Sequence, residues 1–437
     1  MACIKHRNWT QYLEPLLQQR LQRNTWYCLG LGNNVDQEIV WDSAIIDRLF
    51  TEYPINGDGQ TQNFSEGIAT PPQFLCLLLN LFRQGKGGEY PLANEQICRF
   101  LERHFDCQAT LGGTGARGGR ALAHLGFRVL LHLNILSQTV QDLLASPLIH
   151  TTTPGGITRV RDLGECGRGE YAPHFIVQYN RGDTIHAARQ RIECPQANRI
   201  ILPFDEINKT LPLYDHFFRA MLETSDRIAS VVISGFNAMT DEALLLQRLT
   251  RLKTALLLIH SKHIPIYFED GGYHVPRYKE HVFRALGPLI DVCGMNEDEF
   301  FDILHLHHHT VNMSDLHSIV AGLEVILTTY DFKSVVLHTK DYALFYGARF
   351  NKGIEAGLEF ANLLAATRAR IGKDGNLRDV QDTYCLPESE QGITFQQQSQ
   401  NSVMNRYLVV SPAKYLSNPA CTIGLGDTFV AGFQICF

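Results

Sequence analysis

The sequence has no G-x-x-x-x-G-K-[ST] segment, no C-x-x-C pair and no uninterrupted apolar stretch of about 18 residues. The first absence removes the commonest phosphate-binding loop. The second removes the usual zinc framework and the dithiol redox motif, so the eleven scattered cysteines suit reduced thiols that pack as small apolar groups. The third removes a membrane-spanning helix, and the opening MACIKHRNWTQYLEPLLQQRLQR lacks the apolar run of a signal peptide. Positive charge is also short, with 39 Lys and Arg against 45 Asp and Glu and a net charge of -6, which excludes a broad cationic face for nucleic acid or anionic lipid. The expectation is a cytoplasmic protein with small-molecule ligands, no nucleic acid or membrane partner, and a monomeric or small homo-oligomeric state.

What is present describes a well-packed chain: 437 residues, 45% hydrophobic and 19% charged, enough for a large core and a smaller appended lobe. WYCLGL at 26–31 reads as a buried strand that runs into the polar loop Gly32, Asn33, Asn34, Val35, Asp36. Residues 72–83 and 95–105 have helical periodicity, with GKGGEYPL between them as a loop. Residues 108–132 give a short strand, the glycine loop LGGTGARGG and a helix-like run. After about 210, helical stretches alternate with IASVVISGF, IPIYFED, IDVCGMN, KSVVLHT and YLVVSP, the pattern of βαβ units around a parallel sheet covered on both faces. The fold class expected is therefore α/β, doubly wound and mostly parallel, with a smaller β-rich lid. Its large domain spans mainly 22–36, 66–149 and 204–437, and its lid spans approximately 37–65 and 150–203, all in one unit of 1–437. The polar, glutamine-rich stretch 372–405 reads as an exposed excursion.

The most informative segment is CTIGLGDTFVAGF, where a strand-like lead-in reaches Gly424, Leu425, Gly426 and Asp427 and a buried helix follows. Glycines at such a junction let backbone N–H groups converge on an anion at the helix N-terminus. An aspartate there can take the proton of an attacking alcohol in line with phosphorus. The bland alternative is a strand-to-helix turn with Asp427 as N-cap.

G-x-G-D-T-F-x-A-G-F resembles the signature of ribokinase-like kinases, and other segments resemble one branch, the ADP-dependent glucokinases and phosphofructokinases, from about residue 26 to 434. The resemblance implies a kinase that moves the β-phosphate of ADP to glucose or fructose 6-phosphate, with Mg²⁺ or another divalent cation. It puts Asn34 and Asp36 of GLGNNVD against sugar hydroxyls and matches Glu89 of GKGGEYPL to the family's Gly-Glu segment. Gly112 and Gly113 would let backbone approach the sugar. Arg199 of CPQANRIIL would grip the nucleotide phosphates, with Gly424, Gly426 and Asp427 at the transferring group. ISGFNAM matches the S-G-F-Q strand end, GMNEDEF supplies the metal-linked Asn296 and Glu299, and VLHTKDY supplies His338 and Thr339 beside the nucleotide. His174 matches a lid histidine, although a lone histidine on a strand is commonly structural. Arg181 in QYNRGD would meet a sugar phosphate.

One departure stands out: the family's H-x-E appears here as Tyr267, Phe268, Glu269, keeping the carboxylate and losing the histidine. Glu269 and Glu299 would hold the cation largely through water; a solvated helix start is the plain alternative for either. Two further motifs compete. Gly113, Gly115 and Gly118 satisfy G-x-G-x-x-G, which would suit a nicotinamide oxidoreductase, but HLNILSQ follows where that fingerprint wants an acidic residue. His305, His307, His308 and His309 have no carboxylate or cysteine at ligand spacing and read as an exposed linker. A catalytically inactive sugar-binding homologue is the remaining alternative.

Overall fold

The computed structural model describes residues 9–55, 67–164, 171–187, 190–351, 353–401 and 404–437. Residues 56–65, 165–170 and 188–189 of the expected lid lie outside them.

Ten strands form the main sheet, in the order Tyr407–Pro412, Tyr342–Gly347, Ser334–His338, Val292–Asn296, Ile266–Glu269, Ile228–Ile233, Trp26–Leu29, Arg128–Leu131, Ile149–Thr153, Gly156–Arg159. Pairing is parallel from Ser334–His338 through to Ile149–Thr153 and antiparallel at both edges. The parallel strands read as continuous apolar runs because both faces are covered. Along Trp26–Leu29, Trp26 and Cys28 join one apolar cluster, and Tyr27 and Leu29 join the cluster on the opposite face. The chain's first strand lies mid-sheet, with Ile228–Ile233 on one side and Arg128–Leu131 on the other. This is a topological switch point, and α/β sheets bind ligands outside the carboxyl ends of the strands there.

A second sheet of five strands has the order Gly88–Glu89, Asn198–Pro203, Pro173–Tyr179, Asn34–Ile39, Cys107–Gly112. It packs its own apolar cluster against helices Ser43–Glu52, Pro71–Gln84 and Glu95–His104. Helix Pro71–Gln84 starts with a capping box between Thr70 and Gln73, with Pro71 at its first position, and ends at Gly85 in the left-handed conformation.

The strand pairing draws the two sheets differently from the expected segments. Asn34–Ile39, Gly88–Glu89 and Cys107–Gly112 belong to the smaller sheet, while Ile149–Thr153 and Gly156–Arg159 extend the large one. Alternation reveals a strand but not its partner, so sheet membership was not readable locally. The glycine cluster is not a loop: helix Thr114–His124 begins inside it. Nor is 372–405 an excursion. Asn376 caps helix Leu377–Tyr384 by a capping box with Asp379, and helix Glu390–Asn401 follows, with Phe395 buried edge-on against Tyr342 at 5.1 Å. A single buried aromatic holds an otherwise polar helix, which gives almost no periodic signal. The lead-in to Gly424 is likewise irregular, since the strand before it ends at Pro412. Among the described residues no helix is long and apolar enough to cross a membrane.

Candidate active site

A cavity of about 1000 Å³ runs along the carboxyl ends of the parallel strands and under the smaller sheet. The core contributes Asn33, Ser234, Glu269, Asn296 and His338, which stand at or just beyond strand ends, and the smaller sheet contributes Asp36, Glu89, His174 and Arg199.

Helix Leu425–Phe433 enters the same space. Its N-cap is Gly424, at φ 70°, with no capping side chain of its own, and among the described residues no side chain caps the first-turn amides beside the cavity. Asp427 is therefore not the N-cap; it stands in the first turn and lines the cavity, with 23% of its side chain exposed. The turn packs tightly on buried Arg117, and a Cβ at Gly424 would collide with that guanidinium. Gly118 serves the same packing, its Cβ direction leading to the Asp427 carbonyl at 3.1 Å. Gly118 thus lets helix Thr114–His124 lie close against helix Leu425–Phe433, while Gly113 and Gly115 admit the backbone of residues 29–33.

Asn34 and Asp36 are buried and bonded to each other, Asn34 Nδ2 donating to Asp36 Oδ1 at 2.5 Å. Asp36 Oδ2 accepts from Arg117 Nη2 at 2.6 Å. Arg117, a residue that sequence reasoning passed over, also donates from Nε to the Leu111 carbonyl at 2.7 Å and lies 3.5 Å from Asp427 Oδ2. Its signal was present: a lone arginine amid small residues of a glycine-rich helix start, where burial demands carboxylate partners.

Glu89 lines the cavity and contacts His274 Nε2 at 2.8 Å. His174 Nε2 lies 3.0 Å from Asp205. Burial disfavours the His174 cation, but the hydrogen bond and charge of Asp205 outweigh it and raise the histidine above its ordinary pKa. Burial likewise opposes the Asp205 carboxylate, yet His174 and Asn208 hold its pKa below the ordinary value. Arg199 lines the cavity half-buried, with no carboxylate partner among the described residues. Gly113 lines the cavity, whereas Gly112 does not; it packs against the Asn34 side chain. Arg181 is exposed in the turn between strands Pro173–Tyr179 and Thr184–Ala187 and does not line the cavity. The tip of a two-residue turn carries it outward, and spacing alone could not show this.

Glu269 is held from both sides. Tyr267 donates its hydroxyl to Oε2 at 3.0 Å, and His338 Nε2 meets Oε1 at 2.9 Å. A tyrosine on the same strand face thus positions the carboxylate where the family pattern has histidine. His338 also stacks on Phe429 at 4.7 Å, and, although burial opposes its charge, Glu269 raises its pKa. Thr339 Oγ1 accepts from the Asp341 and Tyr342 amides and closes the turn into the next strand. Asn296 and Glu299 form a reciprocal capping box, Asn296 Oδ1 accepting from the Glu299 amide at 2.9 Å and Glu299 Oε2 from the Asn296 amide at 2.8 Å. The helix-start reading of Glu299 is correct in geometry, but the carboxylate is buried rather than solvated. Desolvation first, then the charges of Asp270 and Glu269, push its pKa upward. Asp270 Oδ2 forms a buried ion pair with Lys279 at 2.8 Å, although among the described residues neither of its oxygens has a hydrogen bond of good geometry. His307, from the histidine cluster, pairs with Tyr330 instead of its neighbours, at 2.6 Å.

The conserved-region model of the ADP-specific phosphofructokinases and glucokinases matches residues 28–434. The chain belongs to this family. Similar family members include the ADP-specific phosphofructokinase of Pyrococcus furiosus, 23% identical over 91% of this chain and 94% of that one. The ADP-dependent glucose/glucosamine kinase of the same organism is 23% identical over 92% and 91%. Among solved structures, an ADP-dependent kinase in complex with fructose-6-phosphate and ADPβS superposes with a TM-score of 0.77 at 16% identity, covering 100% of this chain and 98% of that one. A phosphofructokinase from Pyrococcus horikoshii OT3 with AMP gives 0.75 at 20% identity, covering 94% and 97%. The fold of the ADP-dependent kinase family is thus the fold of this chain, and the nicotinamide reading of 113–118 is set aside.

Proposed function

We propose that this chain is an ADP-dependent sugar kinase that transfers the β-phosphate of ADP to a hydroxyl of glucose or fructose 6-phosphate, leaving AMP. The observation that carries the reading is the N-terminus of helix Leu425–Phe433: its amides, without a capping side chain among the described residues, open beside Asp427 into a cavity that Arg199 also lines. Asp427 takes the proton of the attacking hydroxyl, and the Gly424 to Gly426 amides with Arg199 stabilise the charge on the transferring group. Asn34, Asp36, Glu89, His174 and Gly113 form the sugar side; Asn296, His338, Thr339 and Gly426 form the nucleotide side. The smaller sheet acts as the lid, whose closure excludes the water that would otherwise consume the donor.

A divalent cation, Mg²⁺ by preference, fits the carboxylates at the nucleotide end. Glu269, Asp270 and Glu299 are all buried and line the cavity, and the unpartnered Asp270 Oδ1 together with the upward push on Glu299 marks an excess of carboxylate charge. Among the described residues no group of three such side chains is close enough to cage an ion directly. Glu269 and Glu299 would therefore hold a largely hydrated ion, as Mg²⁺ prefers, and its chemistry is to neutralise the donor phosphates. We place the protein in the cytoplasm as a monomer or small homo-oligomer, in keeping with its acidic balance and scattered cysteines.

The test is a kinase assay that crosses ADP and ATP with glucose and fructose 6-phosphate in the presence of Mg²⁺. AMP formation with one or both sugars from ADP supports the reading. Product from ATP alone moves the protein to another branch of the superfamily, and sugar binding without turnover makes it an inactive homologue.

A further inference from the structure

Arg117 is 1% exposed, and its guanidinium reaches both lobes' carboxylates at once: Asp36 of the smaller sheet at 2.6 Å and Asp427 of the last core helix at 3.5 Å. Its Nε and Nη2 both bond the Leu111 carbonyl, which fixes the plane of the group. One nitrogen, Nη1, is buried with no hydrogen-bond partner among the described residues and abuts Gly424 of the phosphate turn. A buried unpaired donor of this kind is costly and calls for a reason. The atom nearest Asp427 is Nε, whose one proton already goes to the Leu111 carbonyl, so the 3.5 Å contact is charge attraction and not a hydrogen bond. The guanidinium is therefore hydrogen-bonded to Asp36 and holds Asp427 by charge alone.

We propose that Arg117 is a positioning residue for phosphoryl transfer: it ties the acceptor-site carboxylate Asp36, by a hydrogen bond, to the base Asp427, which it holds by charge. A planar fork can hold two carboxylates in a fixed relation, and a point-charge ammonium cannot. Because Asp36 meets the sugar and Asp427 meets the reacting hydroxyl, the guanidinium sets where the base stands relative to the acceptor. An error of about 1 Å in that relation lowers turnover by about 10²-fold. The glycine at 424 follows from the same arrangement, since any larger residue would occupy the space of Nη1.

This inference rests on the proposed kinase reading, and the experiment separates the two. Arg117→Lys is compared with wild type for kcat, sugar KM and melting temperature, together with Asp427→Asn and the double variant. The expected result is a folded Arg117→Lys with kcat lowered about 10- to 100-fold and sugar KM raised less than about threefold. In the Asp427→Asn background the lysine should lower the residual rate by no more than about twofold, because the arginine acts through that carboxylate. A purely structural arginine would lower melting temperature and leave kcat per folded molecule intact. Should the lysine variant fail to fold, Arg117→Gln, which still donates to Leu111, serves in its place with the same expectations. A wild type that turns over, beside a folded variant within threefold of its kcat, overturns this inference alone. A wild type without turnover on any donor and acceptor pair overturns the kinase reading and this inference with it.

Discussion

Glu89 on the edge strand of the smaller sheet and His274 in the loop beyond core strand Ile266–Glu269 meet at 2.8 Å across the mouth of the cavity. The contact joins the two lobes directly. Both side chains are partly exposed, so the pair contributes only about 0–1 kcal/mol. His274→Ala should leave the melting temperature almost unchanged and raise sugar KM by about two- to fivefold, the factor that such an energy corresponds to, with kcat within twofold. A KM unchanged in steady-state kinetics would show that the contact does not orient Glu89 toward sugar.

Asp427→Ala removes the proposed base while leaving Asn34, Asp36 and Glu89 in place. Turnover should fall by about 10²- to 10⁴-fold, while the sugar dissociation constant measured by calorimetry stays within about threefold. Residual activity within tenfold of wild type would take Asp427 out of that role.

Tyr267 is buried and its hydroxyl supports Glu269. Tyr267→Phe strands one oxygen of a buried carboxylate, which should cost about 1.5–3 kcal/mol of stability. It should also raise the Mg²⁺ concentration needed for half-maximal activity, and chelation with EDTA should stop turnover in both proteins. An identical Mg²⁺ dependence of Tyr267→Phe and wild type would separate Glu269 from the cation.

The His174–Asp205 pair predicts a pH dependence of stability. His174 has a raised folded pKa, so its contribution is fully present below the unfolded value of about 6.5 and is lost as pH rises through the folded pKa. Asp205 has a lowered folded pKa, so its contribution is present above about 3.9 and is lost as pH falls through the folded pKa. The pair therefore contributes most between those limits. The melting temperature of wild type should exceed that of His174→Gln by more at pH 6 than at pH 9. A gap that is flat or widens toward pH 9 would contradict the charged pairing.

Phe395→Ala empties the contact that seats helix Glu390–Asn401 on Tyr342. A loss of about 3–5 kcal/mol is expected for a buried phenylalanine, seen as a lower midpoint in urea unfolding. A near-neutral effect would restore the view of 372–405 as a loose excursion.

The fold class was legible because the parallel strands are buried on both faces and therefore appear as bare apolar runs, several of them followed by a helix. The order of motifs from GLGNNVD to GLGDTF was legible because each marks a local change from apolar to polar or glycine-rich sequence; Glu269, Asn296 and His338 end their strands, whereas Asp36 lies within one and Gly424 follows an irregular lead-in. Fourteen of the sixteen expected site residues line one cavity; Gly112 and Arg181 do not. What the chain alone determined, then, is where strands stop and which chemistry waits at each stop. Only the tertiary structure decided which stops face one another: that Asn34–Ile39 leaves the core to pair with Cys107–Gly112, that His338 reaches Glu269, and that Arg117 spans Asp36 and Asp427. Those partners lie 68 to 310 residues apart, and local periodicity fixes an element's type and buried face without naming the distant surface it will meet.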